Sequence, residues 1–150
     1  MKNFVAISIP SVTFSSREVE RRTIYDGVDD FIRQLCERLR VRLQSAGVDC
    51  DPSSQSFKPE GRAFHAGPPD RRLRVIVCPE RDALPKAALT IITESRVGFW
   101  GRVFRPERIV RGRSWSWFEP IFRGALEAEF PGCDLKWMTL DEFIQNEPSG

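Results

Sequence analysis

Histidine is almost missing from this chain: His65 is the one imidazole in 150 residues. Any Ser-His-Asp or Cys-His scheme would have to run through it. Lysine is scarce as well. Lys2, Lys58, Lys86 and Lys136 are the whole supply, and the other 19 of the 23 basic residues are arginine. The four cysteines, Cys36, Cys50, Cys78 and Cys133, stand far apart with no C-x-x-C pair. That spacing excludes the common zinc patterns and a disulfide scaffold. Reduced, structural thiols are expected. No stretch approaches the roughly 20 apolar residues that span a bilayer. The apolar run Phe4 to Ile9 stops at Pro10, too short for a secretory signal. A cytoplasmic protein with no membrane association is therefore expected. No G-x-S-x-G, P-loop or H-E-x-x-H motif occurs. Gly98-Phe99-Trp100-Gly101 has bulky residues where a phosphate cradle needs glycine. No cofactor, metal site or catalytic residue is assigned.

What is present is an ordinary globular composition: 41% hydrophobic, 29% charged, net charge +2. This excludes a wholly disordered chain and a collagen-like one. The length suits one core, so residues 1–150 are read as a single domain. Phe4 to Ile9 reads as a strand buried on both faces. Ser15 and Glu18 form a capping box ahead of a long apolar stripe: Ile24, Val28, Phe31, Leu35, Leu39, Leu43, Ala46. The expected helix ends at Gly47, with a kink near Gly27. Residues 48–72 are rich in proline and glycine and lack periodicity. They are read as a long, mobile loop or as hiding a short strand at Arg62 to His65. Strands are expected at Leu73 to Cys78, Ala88 to Thr93 and Arg96 to Phe104, the last two as a hairpin turning at Glu94-Ser95-Arg96. A brief edge strand is expected at Arg108 to Arg111. A second capping box at Ser116 opens a helix ended by Pro131-Gly132. Leu135 to Met138 is a strand, and Thr139 caps a last helix with Leu140, Phe143 and Ile144 inward. The tail 147–150 should fray. The expected fold class is α+β: a two-layer sandwich with a largely antiparallel sheet, one long N-terminal helix and one or two C-terminal helices.

Two constellations bear on function. Asp134-Leu135-Lys136 is a D-x-K on an expected strand. With Glu80, Asp82 or Glu94 it would serve a carboxylate and Mg²⁺ nuclease. The second is regional. Residues 96–123 hold seven arginines against Glu107 and Glu119, a local charge of +5 on a body at −3. The same window holds Phe99, Trp100, Phe104, Trp115, Trp117, Phe118 and Phe122. Arg and Trp dominate binding hot spots, and Arg pairs bidentately with carboxylate or phosphate. The expected partner surface is therefore Trp100, Arg102, Arg105, Arg108, Arg111, Arg113, Trp115 and Trp117. Its expected partner is another protein with an acidic surface. Single-stranded nucleic acid is the alternative, with arginines on phosphates and aromatics stacked on bases. The bland reading is that the aromatics are core and the arginine excess is chain-wide. The roles that fit are an adaptor, an immunity-type inhibitor or an accessory subunit of a bacterial complex. The oligomeric state is not legible.

Overall fold

The computed structural model describes residues 2–57, 61–69, 72–95 and 112–146. Strand β1 (Phe4–Thr13) carries apolar side chains to both faces, as its sequence requires, and so lies inside a sheet rather than at its edge. Its neighbours are β7 (Lys86–Ser95) and β8 (Asp134–Met138). Beyond β7 come β6 (Leu73–Pro79), β5 (Arg62–Ala66) and the two-residue β4 (Gln55–Ser56). The order is β4-β5-β6-β7-β1-β8, and every pairing is antiparallel.

Alternation sorts the side chains. Val5, Ile7, Val75, Val77, Leu89 and Ile91 face one way and join α1 (Val28–Ser45) and α2 (Gly112–Glu129) in the main core. Each such buried side chain contributes about 1.5–3 kcal/mol. On the opposite face Ala63, Ile76, Ile92, Phe4 and Met138 form one row in register across five strands. Leu140 and Phe143 of the short α3 (Leu140–Asn146) pack on that row, with Phe143 stacked 4.9 Å from Phe4. The expected α+β class, antiparallel sheet and flanking helices are thus observed.

The N-terminal helix differs from its sequence reading. Residues before Gly27 form a second, two-stranded sheet of β2 (Ser16–Val19) and β3 (Arg22–Tyr25). Its turn places Glu20 and Arg21 at φ 50° and 64°, a conformation usually taken by Asn-Gly. With no Asn-Gly to mark it, and with Ile24 in phase with the later stripe, the hairpin is hidden in the sequence. Ser15 caps no helix, and Gly27, at φ 85°, stands where α1 begins rather than at a kink. The far end is as read. Gly47 at φ 89° donates to the Gln44 carbonyl at 3.0 Å, and Val48 donates to Leu43 at 2.9 Å. This is the Schellman closure, with Leu43 and Val48 both buried.

The strand expected at Arg62 to His65 exists as β5. Gly61 before it admits no side chain: a Cβ there would lie 2.3 Å from the Val77 carbonyl oxygen. The turn expected at Glu94-Ser95 is not there, because both residues are still in β7 and pair with Arg74 and Leu73 of β6. Helix α2 (Gly112–Glu129) is already helical before Ser116 and carries Pro120 inside it. Phe122, Ala125, Leu126 and Phe130 are buried. The Thr139 capping box is reciprocal: Glu142 N donates to Thr139 Oγ1 at 3.2 Å, and Thr139 N donates to Glu142 Oε1 at 3.4 Å. Ile144 is 57% exposed, not inward. The strands expected at Arg96 to Phe104 and Arg108 to Arg111, and the tail 147–150, lie outside the described residues.

Candidate functional site

Of the expected partner-binding residues, Trp100, Arg102, Arg105, Arg108 and Arg111 lie outside the described residues. Arg113 belongs to the first turn of α2. Trp115 is 3% exposed and sits in the core, so it is not a surface anchor. Trp117 is half-buried, edge-on to Phe118 at 5.5 Å, and its buried Nε1 has no hydrogen-bond partner among the described residues. Arg123 donates to Glu119 at 2.9 Å and lies over the Trp137 ring at 4.1 Å. The C-terminal part of the window is therefore spent on packing.

The acids weighed for metal chemistry are not gathered. Asp134 is level with Ser8 and Ala88, six residues along β7 from Glu94, a separation of about 20 Å. Glu80 is level with Ala88 but three strand spacings from β8, about 14 Å. Glu80 accepts from Thr90 at 2.7 Å, and buried Glu94 pairs with Arg74. Asp82 lies in a short 3-10 turn after β6. Among the described residues no group of three metal-ligating side chains converges.

Cys36 and Cys50 are unsuited to nucleophilic work. Burial pushes Cys36 up to about 12, and burial likewise raises Cys50 to about 11. Both are protonated at neutral pH, and the thiolate is the reactive form.

His65 is more engaged than its sequence implied. The isolated bridge Cys50↔Ala66 lays the chain after α1 against β5, and Asp51 N donates to the His65 carbonyl at 3.0 Å. Asp51 Oδ2 accepts from the His65 backbone amide at 2.9 Å and lies 2.8 Å from Nδ1 of its ring. Arg72 donates to Asp51 Oδ1 at 2.6 Å and to the Gly67 carbonyl at 2.8 Å. Burial alone would raise the Asp51 carboxyl. The hydrogen bonds from the His65 amide, the His65 ring and Arg72 outweigh it and hold the carboxyl below its ordinary value. Pro52, Ser53, Gln55 and Pro69 complete a cleft of ≈ 520 Å³. The Asp51–His65 pair is the orienting half of a triad, but among the described residues no hydrogen bond joins Ser53 to the imidazole. What the cluster does is tie residues 49–51 and 65–72 together where regular pairing is sparse.

A larger concavity lies between α1 and α2, ≈ 750 Å³. Val41, Ala46, Pro120, Ile121, Gly124, Ala125 and Ala128 give it an apolar floor. Along its rim, Glu129 accepts from Arg42 Nε at 2.8 Å and from Arg38 Nε. Burial would raise Glu129, but the hydrogen bonds from Arg42 and Arg38 prevail and lower it. The sequence concealed this site, since the groove joins residues nearly 90 apart and its glycine and alanines carry no chemical signature.

Among the described residues no helix is long and apolar enough to cross a membrane. Compared with known proteins, the chain matches no family model, no curated protein and no solved structure.

Proposed function

We propose that the protein is a non-catalytic, cytoplasmic protein-binding module of the adaptor, immunity-type inhibitor or accessory-subunit kind. Residues 96–113, with Trp100, Arg102, Arg105, Arg108, Arg111 and Arg113, would recognise an acidic partner. The observation that carries this reading is the segregation of charge: seven arginines against two acids between 96 and 123, on an otherwise acidic chain. The core positions of Trp115, Phe118 and Phe122 support it by fixing α2 to the sheet. The stretch thereby starts from one rigid element, β7, and ends on another. The protonated Cys36 and Cys50 and the dispersed acids favour binding over catalysis.

The test is the triple variant Arg105→Ala/Arg108→Ala/Arg111→Ala. Affinity for the protein that co-purifies with the wild type should fall by roughly tenfold or more, with the thermal midpoint unchanged. Unchanged affinity would remove the assignment. Binding of a single-stranded oligonucleotide that collapses as salt rises would move the same residues to nucleic-acid recognition.

A further inference from the structure

The groove between α1 and α2 has three properties that packing among the described residues does not require. First, Gly124 stands in the interior of α2, where glycine is a weaker helix former than alanine. A Cβ built on it meets no atom within 4 Å, so nothing among the described residues demands its smallness. Second, Val41 is 53% exposed and turned to the groove floor beside Ile121 and Ala128. Third, the rim is unbalanced in charge. Arg38 and Arg42 both use Nε on the single Glu129 carboxylate, which is 8% exposed while they are 47% and 44% exposed. Their terminal nitrogens have no further partner among the described residues. Glu37, also on the rim, is taken by Arg40 at 2.5 Å. One carboxylate thus pre-orients two guanidinium groups and leaves one positive charge and a row of donors over.

The groove runs along ten residues of each helix, Glu37 to Ala46 and Pro120 to Glu129. That is about 15 Å, or nearly three helical turns. We propose that it is a docking surface for an amphipathic helix of another protein, whose apolar stripe lies on Val41, Ile121, Gly124 and Ala128 and whose flanking carboxylates meet Arg38 and Arg42. This is the helix-in-groove mode of recognition. The surface uses no residue of 96–113, so it stands or falls apart from the arginine-rich stretch.

A displayed library of helical peptides tests it, with leucine fixed at i, i+3, i+4 and i+7, flanking positions randomised, and the full chain as bait. Selected peptides should be enriched in Asp and Glu at the flanks. Their affinity, measured by fluorescence anisotropy, should fall roughly tenfold or more in Gly124→Glu, and likewise in Val41→Asp, an exposed position whose change leaves the core alone. It should be untouched in Arg105→Ala/Arg108→Ala/Arg111→Ala. Three results would overturn the proposal. One is selection with no acidic enrichment, and another is affinity indifferent to both groove variants. The third is sedimentation showing that Gly124→Glu dissolves a dimer of the wild-type chain, which would make the occupant a second copy.

Discussion

The Asp51 cluster and the Glu129 cluster both set a half-hidden carboxylate among stronger donors, yet they leave different remainders. Asp51 shares its two oxygens among an amide, an imidazole and one guanidinium, and all of these belong to the segment being closed. Little donor capacity is left facing outward, and Arg72 is 18% exposed. Glu129 divides its oxygens between two arginines that stay nearly half exposed beside an apolar floor. The first arrangement consumes its polarity in holding a loop. The second spends one charge to aim two. A polar cluster is therefore read by what it has left over, more than by which residues it contains.

The largest expected effect breaks the first cluster. Asp51→Ala removes the acceptor for three donors and strands Arg72. It should cost about 3 kcal/mol, seen as a lower midpoint in urea unfolding. Glu129→Gln should cost less, about 1 kcal/mol, because its arginines regain water. That variant should leave the pair of guanidinium groups less well aimed, so its effect on peptide binding should exceed its effect on stability.

Acid sharpens the same contrast. Both carboxyls are held below their ordinary values in the folded chain, so folding releases protons across that range. Their contribution is fully present above the ordinary carboxylate range, near pH 4, and drains away as pH falls through the lower folded values. Asp51→Asn and Glu129→Gln should each flatten the acid limb of a stability-versus-pH curve. Gly124→Ala is the smallest change and runs the other way. With open space at its Cβ and a helical backbone, it should stabilise the fold by about 0.5–1 kcal/mol in thermal unfolding. If it also weakens binding in the groove, glycine is there for the partner and not for the fold.

The fold was legible where one physical signal acted alone. The stripe from Phe31 to Leu43 is helical by period, and Gly47 closes it because the left-handed turn costs a residue without Cβ little. β1 read as a buried strand because it is apolar on both faces, and β6 read as a strand from its run of Val75, Ile76 and Val77. Legibility failed where two signals coincided or where a rule was bent. Ile24 kept phase with a helix to which it does not belong, and the Glu20-Arg21 turn lacks the residues that usually announce it. The capping box expected at Ser116 lies inside α2, which is already helical from Gly112. The Asp51–His65–Arg72 cluster could be glimpsed only as a lone histidine, since its acid and its cation lie 14 and seven residues away in a loop without period.

The α+β class, the scarcity of histidine and lysine, and the charge segregation at 96–123 were already set by the sequence. These follow from composition and local periodicity, which are properties of the chain before it folds. The three-dimensional packing decided that Trp115 is core, that Asp134 is far from Glu80 and Glu94, and that Arg38, Arg42 and Glu129 share one rim. Those depend on strand order and on which helix lies beside which. Such placements are set by the whole core at once, through contacts between residues as distant as Arg38 and Glu129.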